Sequence, residues 1–238
     1  MIEHVCEQNT DDWYRVKLGI PSASQAHNII TPLGAPTRGD RRRKYMYRLI
    51  AERLLKQSMD DRFENFWTRR GKDLQDQAAE GFLAHILKPG ERGVLRKIGF
   101  ITTDDGKIGA SPDRILRIGK KREEGVELKC PSPWVQIEYL LEGTEENYKP
   151  QVQMQILVGQ FKANHLWCFH PNMPPVHVVT LRDDDYIKKL ARALFDFCNE
   201  LDAETDRAQR KGPYKLAELL KLSSELGADI PGTFPWLQ

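Results

Sequence analysis

Apolar residues recur at helical spacing between residues 10 and 90. Thr10 precedes two aspartates and a short apolar segment that ends at Gly19, and this order predicts a short helix capped by Thr10. Ser22 and Gln25 have the spacing of a capping box, so a second short helix is predicted to start there. The beginning of the chain is therefore expected to be helical.

Two longer amphipathic helices are predicted next. Asp40 can cap the first, and the second runs from about Phe66 to Leu87. Apolar residues repeat every four positions in both segments, which gives each helix one apolar face. These residues are Met46, Ile50 and Leu54 in the first helix and Leu74, Ala78, Phe82 and Ile86 in the second.

The middle of the chain changes to the pattern of strands. Strands are predicted at residues 99–103, 108–116 and 126–130, and a turn signal between the first two favours antiparallel succession. Pro150 can occupy the first turn of a following helix, although residues 151–156 also alternate as a strand does. Both interpretations of that segment stay open.

Two further strands and a helix complete the pattern. The strands are predicted at 166–169 and 176–181, and Asp183 precedes an amphipathic helix. The apolar face of this helix carries Ile187, Leu190, Leu194 and Phe197. Helices, a mixed sheet and another helix predict an α/β fold with a central mixed β-sheet flanked by helices.

One domain is expected to span residues 1–238, because no linker-like stretch divides the chain. A helical part at 10–90 is expected to precede a catalytic part of sheet and helices at 95–200. Glycines and prolines are frequent near the end, so residues 205–238 are expected to form an irregular tail.

Composition excludes several classes of protein. A hydrophobic content of 40% with 29% charged residues describes a globular chain rather than a disordered one. No apolar run is long enough for a membrane span, and the four scattered cysteines lack zinc-ligand spacing, so a cytoplasmic protein is expected. The net charge of +2 gives no overall basic footprint for nucleic acid, which leaves any such binding to local clusters. The clusters are Arg38 with 41–44, then 69–72 and 120–122.

The candidate chemistry lies at Asp113 and at Glu127-Leu128-Lys129. Because side chains alternate along a strand, Glu127 and Lys129 project from one face and Leu128 from the other. If Asp113 lies beside them, two carboxylates and an ammonium group converge, and carboxylate oxygens are ligands that Mg²⁺ prefers. Such a site suits phosphodiester hydrolysis. The plainer alternative is a Pro-Asp turn and a solvent-exposed Glu–Lys ion pair.

Five segments together resemble the lambda-exonuclease family of viral recombination nucleases, the YqaJ type of the PD-(D/E)xK nuclease fold. They occur in the family's order between about residues 13 and 181. The segments are Trp13 to Ile29, Arg70-Gly71-Lys72, Gly109 to Asp113, Glu127 to Pro131 and Gln151-Val152-Gln153.

The resemblance assigns roles to single residues. It makes Asp113 and Glu127 metal ligands, with the Leu128 carbonyl as a third, and it makes Lys129 the catalytic lysine and Gln151 a polar group near the attacking water. At the family's helix carboxylate this chain has Gln75, which can offer a carbonyl oxygen but no charge. The neighbours Asp76 and Glu80 are possible substitutes, although Glu80 lies about 140° around the helix from Gln75.

The N-terminal segment gains a second interpretation from the resemblance. Ser22 can simply cap a helix, but free N–H groups at a helix start also bind anions. Members of the family hold the 5′-terminal phosphate there, which implies Lys17, Ser22 and Ser24, with Arg15 as a neighbour. Lys17 stands where the family can carry arginine, and a lysine supplies charge without a bidentate fork.

The resemblance therefore implies a Mg²⁺-dependent 5′-to-3′ exonuclease acting on double-stranded DNA ends, with Mn²⁺ as a substitute metal. It also implies a ring-shaped homotrimer, a single-strand annealing protein as partner, and a phage or prophage origin in a bacterial cytoplasm. Two alternatives stay open: a PD-(D/E)xK endonuclease, and a DNA-end-binding module with degenerate chemistry, which Gln75 motivates. The histidines are interpreted as surface or core residues, Cys130 as a small buried residue, and Trp67 and Trp167 as core residues rather than platforms for base stacking.

Overall fold

Two β-sheets and the helices around them make up the fold of this computed structural model, which describes residues 1–60, 66–119 and 122–210. The helices are α1 (Asp11–Val16), a 3-10 helix (Ala23–Asn28), α2 (Asp40–Leu55), α3 (Phe66–Asp73), α4 (Gln75–Ile86), α5 (Pro133–Glu142), α6 (Glu145–Gly159) and α7 (Asp184–Arg210). The strands are β1 (Ile2–His4), β2 (Gly93–Lys97), β3 (Phe100–Thr102), β4 (Gly109–Ala110), β5 (Arg114–Ile118), β6 (Arg122–Lys129), β7 (Ala163–Cys168) and β8 (Val176–Leu181). Within the described residues, no helix is both long and apolar enough to cross a membrane.

The larger sheet has the order β2-β5-β6-β7-β8. Strands β6 and β7 are parallel and the other neighbours are antiparallel, so the sheet is mixed. On one face Phe82 of α4 packs with Val126 and Trp167 of the sheet. A second core joins Met154 of α6 to Leu190 of α7. The predicted fold class, a mixed sheet flanked by helices, is confirmed.

The helix predictions in the first half are partly confirmed. Thr10 caps α1, because its hydroxyl accepts a hydrogen bond from the Trp13 N–H. The capping box at Ser22 is wrong: the segment is a 3-10 helix, and the Ser22 hydroxyl makes no capping bond. The Gln25 N–H donates instead to the Ser22 backbone carbonyl at 2.9 Å.

Asp40 is also not a cap. Gly39 occupies the N-cap position of α2 with a φ of 81°, and its carbonyl accepts a hydrogen bond from the Arg43 N–H. A glycine adopts this φ without steric cost, so the chain turns into the helix one residue earlier than predicted. The single helix predicted from Phe66 to Leu87 is divided at Leu74 into α3 and α4.

The single strand predicted at 108–116 is wrong, because this segment forms two strands that belong to different sheets. β4 pairs with β3 in a three-stranded sheet, whereas β5 pairs with β2 and β6 in the larger one. Ser111, Pro112 and Asp113 join the two sheets. Proline has no N–H to donate to a sheet ladder, which accounts for the break at this point.

The second half contains one helix more than the pattern predicted. Residues 133–142 form α5, and α6 begins at Glu145, so Pro150 lies inside α6 rather than in its first turn. The alternative strand at 151–156 is wrong for the same reason. The apolar face predicted for α7 is buried, and α7 continues to Arg210, so 205–210 are helical rather than irregular. The rest of the predicted tail lies outside the described residues.

Candidate active site

Asp113 lies where the chain passes from the small sheet to the large one. Its Oδ2 accepts a hydrogen bond from the Leu128 N–H at 2.7 Å, and its Oδ1 accepts one from the Gln75 Nε2 at 2.7 Å. The first contact joins the start of β5 to the end of β6, as the hairpin between those strands requires. Asp113 therefore lies directly beside the Glu127-Leu128-Lys129 segment.

Glu127 is the centre of a network of four side chains. The strand alternation places Glu127 and Lys129 on one face, and the two form an ion pair with 2.6 Å between Nζ and Oε1. The same Oε1 accepts a hydrogen bond from Gln151 Nε2 at 2.6 Å, and Oε2 accepts one from Gln155 Nε2 at 2.6 Å. Glu127 is only 5% exposed, so the solvent-exposed ion pair considered above is wrong.

The surroundings of Asp113 and of Lys129 shift the pKa of both groups. Burial raises the pKa of Asp113, and the negative charge of Glu127 raises it further. Burial alone lowers the pKa of Lys129, but the charges of Glu127 and Asp113 outweigh it and the net pKa is raised. Lys129 is therefore held as a cation beside two acidic groups.

Gln75 reaches this site from the first residue of α4, through its contact with Asp113. The two substitutes considered for it do not. Asp76 forms ion pairs with Arg114 at 2.6 Å and with Lys97 at 2.9 Å, and Glu80 is exposed. An uncharged amide can donate to Asp113 directly, whereas a third carboxylate would be repelled by it.

The donor set at this site consists of oxygen atoms. Across the described residues, no three or more His, Cys, Asp and Glu side chains form a group that could hold a metal ion. The site brings together the carboxylates of Asp113 and Glu127 and the side-chain amide of Gln75, which has a carbonyl oxygen. This chemistry fits a hard divalent cation that retains water ligands, such as Mg²⁺ or Mn²⁺, and does not fit zinc.

The residues expected to bind a terminal phosphate are only partly brought together. Ser22 is buried and its hydroxyl lies 3.4 Å from that of the exposed Ser24. Lys17 follows α1 and forms an ion pair with Asp60 at 2.7 Å. Arg15 does not join them: its side chain is 74% exposed and pairs with Asp12.

Trp13 connects these N-terminal residues to the carboxylate site. The Lys17 Nζ lies 3.9 Å from the centre of the Trp13 ring. The indole N–H of Trp13 donates to the Ser111 hydroxyl at 3.1 Å, and Ser111 is two residues before Asp113. The two candidate sites are thus neighbours.

Gln155 was not singled out from the sequence. Its carbonyl oxygen accepts a hydrogen bond from Asn164 Nδ2 at 2.6 Å, so β7 orients the amide that holds Glu127. The available signal was its spacing from Gln151: residues four apart lie on the same face of a helix.

The residues interpreted as structural are mostly so. Trp167 is 2% exposed, and His165 is buried beside Glu124 at 2.8 Å. Trp67 differs from the prediction, because it packs edge-on against Trp134, whose side chain is 63% exposed, and not in one of the buried clusters.

A mixed sheet that carries an aspartate on one strand and Glu-x-Lys on the next defines the PD-(D/E)xK class of nucleases. Residues 12–162 match the YqaJ-like viral recombinase domain, and the chain belongs to that family. No curated protein matches the chain significantly.

Exonucleases are among the solved structures that the chain resembles. The chain is 25% identical to an alkaline exonuclease from Laribacter hongkongensis, with a TM-score of 0.72, over 88% of this chain and 100% of that one. The same values hold for that enzyme in complex with dAMP. A phage-related exonuclease from Haemophilus somnus is 16% identical, with a TM-score of 0.53 over 78% of this chain and 96% of that one, and supports the fold alone.

Proposed function

We propose that this protein is a divalent-metal-dependent exonuclease that digests one strand of double-stranded DNA from its 5′ end and leaves 3′ single-stranded overhangs for recombination. The observation that carries the proposal is the convergence of Asp113, Glu127 and Lys129 at the junction of β5 and β6. Membership of the recombinase family and the similarity to an alkaline exonuclease support it.

Asp113, Glu127 and the Leu128 carbonyl are the proposed metal ligands, with Gln75 as an additional oxygen donor. A bound Mg²⁺ or Mn²⁺ supplies Lewis-acid chemistry at this point, activating water and neutralising phosphate charge. Lys129 adds a fixed positive charge, held in place by Glu127, that can orient the attacking water and stabilise the charge that develops on the phosphate.

Gln151 and Gln155 hold the ligand Glu127 from the same side. Each donates to a different oxygen of its carboxylate, so the two amides fix the plane of that group. Gln151 is half-buried, and a contact with the attacking water is part of the same proposal. Gln155 is buried and has a positioning role only.

The end of the DNA is proposed to bind at Lys17, Ser22 and Ser24. A terminal phosphate accepts charge-assisted hydrogen bonds from an ammonium group and from hydroxyls. The contacts of Trp13 with Lys17 and with Ser111 support a pocket near the carboxylates, as removal of a nucleotide from a 5′ end requires. A homotrimeric ring around the duplex and a single-strand annealing protein as partner belong to the same proposal.

Digestion of end-labelled linear duplexes tests the proposal. A label on the 5′ nucleotide is expected to be released at once, and a label at the 3′ terminus of the same strand is expected to be released last. Neither label should be released without Mg²⁺. A covalently closed circular duplex serves as the control and is expected to stay intact.

Each alternative has its own outcome in this experiment. Cleavage of the closed circle identifies an endonuclease. Binding of the linear ends without release of either label identifies an end-binding module with degenerate chemistry. Early release of the 3′ label contradicts the proposed polarity.

A further inference from the structure

Asp60 forms an ion pair with Lys17, the cationic side chain on which the proposed phosphate pocket depends. Its carboxylate forms an ion pair with Lys17 at 2.7 Å and a second ion pair with the guanidinium group of Arg48. The side chains of Lys17 and Asp60 are only 14% and 19% exposed. Lys17 and Arg48 therefore hold one anionic group between them in a mostly covered position.

Arg48 belongs to the same neighbourhood as the serines of the pocket. It lies on α2 one turn after Tyr45, whose hydroxyl oxygen accepts a hydrogen bond from the Ser22 N–H at 3.1 Å. The Nε of Arg48 is buried without a hydrogen-bond partner among the described residues, and it is 3.6 Å from the nearest oxygen of Glu52. The Nε thus forms an ion pair with Glu52 but, among the described residues, no hydrogen bond.

A buried carboxylate fixes the backbone on both sides of this arrangement. Glu52 is 3% exposed and accepts hydrogen bonds from the Gly19 and Met59 N–H groups, each at 3.0 Å. Gly19 is two residues from Lys17, and Met59 is next to Asp60. The contacts of Glu52 therefore fix the backbone near Lys17 and the backbone next to Asp60.

We propose that Arg48 is a second ligand of the 5′-terminal phosphate and that the Asp60 carboxylate takes the place of this phosphate until a DNA end arrives. The inference rests on the proposed function, because it needs a phosphate pocket at Lys17. Carboxylate and phosphate oxygens accept the same charge-assisted hydrogen bonds, but a phosphate carries more charge and a third acceptor oxygen. Arg48 supplies the planar fork that Lys17 lacks.

If phosphate replaces the Asp60 carboxylate, substitutions of Arg48 and of Asp60 should change DNA binding in opposite directions. Arg48→Ala removes a charge-assisted bond to the phosphate and is expected to weaken the binding of phosphorylated ends about tenfold. Arg48→Lys keeps the charge without the fork and is expected to give an intermediate value. Asp60→Asn removes the competing anion and is expected to strengthen binding several-fold.

The test measures fluorescence anisotropy of labelled duplexes with 5′-phosphate or 5′-hydroxyl ends, without divalent metal, so that binding is measured without cleavage. Arg43→Ala is the matched control, because Arg43 lies on the same helix, is 61% exposed and pairs with Asp40. This control is expected to keep the wild-type ratio of the two dissociation constants, because any general contribution of Arg43 to DNA affinity affects both kinds of end equally. Melting temperatures verify that each variant is folded, and if Arg48→Ala does not fold, Asp60→Asn alone decides.

Two negative outcomes have different meanings. If the wild-type protein binds both ends equally, the phosphate pocket itself is wrong and this inference falls with it. If the wild-type protein prefers phosphorylated ends but the Arg48 and Asp60 variants behave like Arg43→Ala, the pocket stands and the role of Arg48 and Asp60 is overturned.

Discussion

The carboxylate site and the Lys17 pocket are opposite in charge and alike in construction. In the first, the charges of two carboxylates act on one cationic side chain, Lys129. In the second, two cationic side chains enclose one carboxylate, Asp60. Each site thus contains a partly covered charged group with a counter-charge from the chain itself.

The difference lies in how firmly each counter-charge is held. Lys129 sits on the same strand as Glu127, in the end of β6 that pairs with residues 166–168 of β7. Asp60 lies beyond the end of α2 and is held by two side chains and the Glu52 contact next to it. We infer that Lys129 is a permanent part of the first site, whereas Asp60 can be exchanged for a substrate group.

The largest expected effect belongs to Glu127→Gln. The glutamine amide carries no charge to attract a metal ion. Its NH₂ group would also face the donor groups of Lys129, Gln151 or Gln155, which now bind the carboxylate oxygens. Hydrolysis is therefore expected to fall to background while DNA binding persists. Release of acid-soluble nucleotides measures the rate. Glu123→Gln, an exposed position on the same strand, is the control and should match wild type; substantial residual activity of Glu127→Gln contradicts the site.

Gln155→Ala tests the support of that carboxylate. Loss of a group that orients a metal ligand costs about 10- to 100-fold in metal affinity or activity, so the Mg²⁺ concentration for half-maximal rate should rise by a factor in this range. Gln153→Ala is the matched control, because Gln153 lies on the same helix and contacts Leu181 and Asp183 instead. Equal Mg²⁺ curves for the two variants would remove Gln155 from the site.

Gln75→Glu is expected to have a smaller effect in the opposite direction. A charge about 4 Å from a cation is worth ~4 kcal/mol at an effective dielectric constant of 20, and repulsion from Asp113 cancels most of it. The Mg²⁺ requirement should therefore fall roughly three- to tenfold, and Gln75→Ala should raise it. Superimposable Mg²⁺ titrations of the three proteins would show that Gln75 is not a ligand.

The smallest expected effect concerns pH. Burial and, less strongly, the charge of Arg48 lower the pKa of Lys17 to about 8, although the charge of Glu52 opposes this shift. Asp60 and the rings of Trp13 and Tyr14 also face this group. Lys17 is charged below this pKa and neutral above it, so the preference for 5′-phosphorylated ends should decline a few-fold between about pH 7 and 9.

This preference is measured as the ratio of rates on phosphorylated and hydroxyl ends at each pH, which cancels the pH dependence of hydrolysis itself. A ratio that stays constant over this range would show that the charge of Lys17 does not contribute to end recognition.

The two sites also differ in how far they follow from the sequence. Glu127 and Lys129 share a face because strand alternation is a local rule, and Asp113 lies beside them through a hairpin. The pocket joins residues 17, 48 and 60 from three separate segments, and no local pattern encodes such a contact. The same limit applies to Pro150, whose position inside α6 depends on how the whole helix packs rather than on its own preference.

The central claim is that Asp113 and Glu127 form a divalent metal site. Calorimetric titration of Mn²⁺ into wild-type protein and into Asp113→Asn tests it without DNA or catalysis. Heat from saturable binding is expected for the wild-type protein and should be lost in the variant at the same metal concentrations. Identical binding curves for the two proteins would contradict the account.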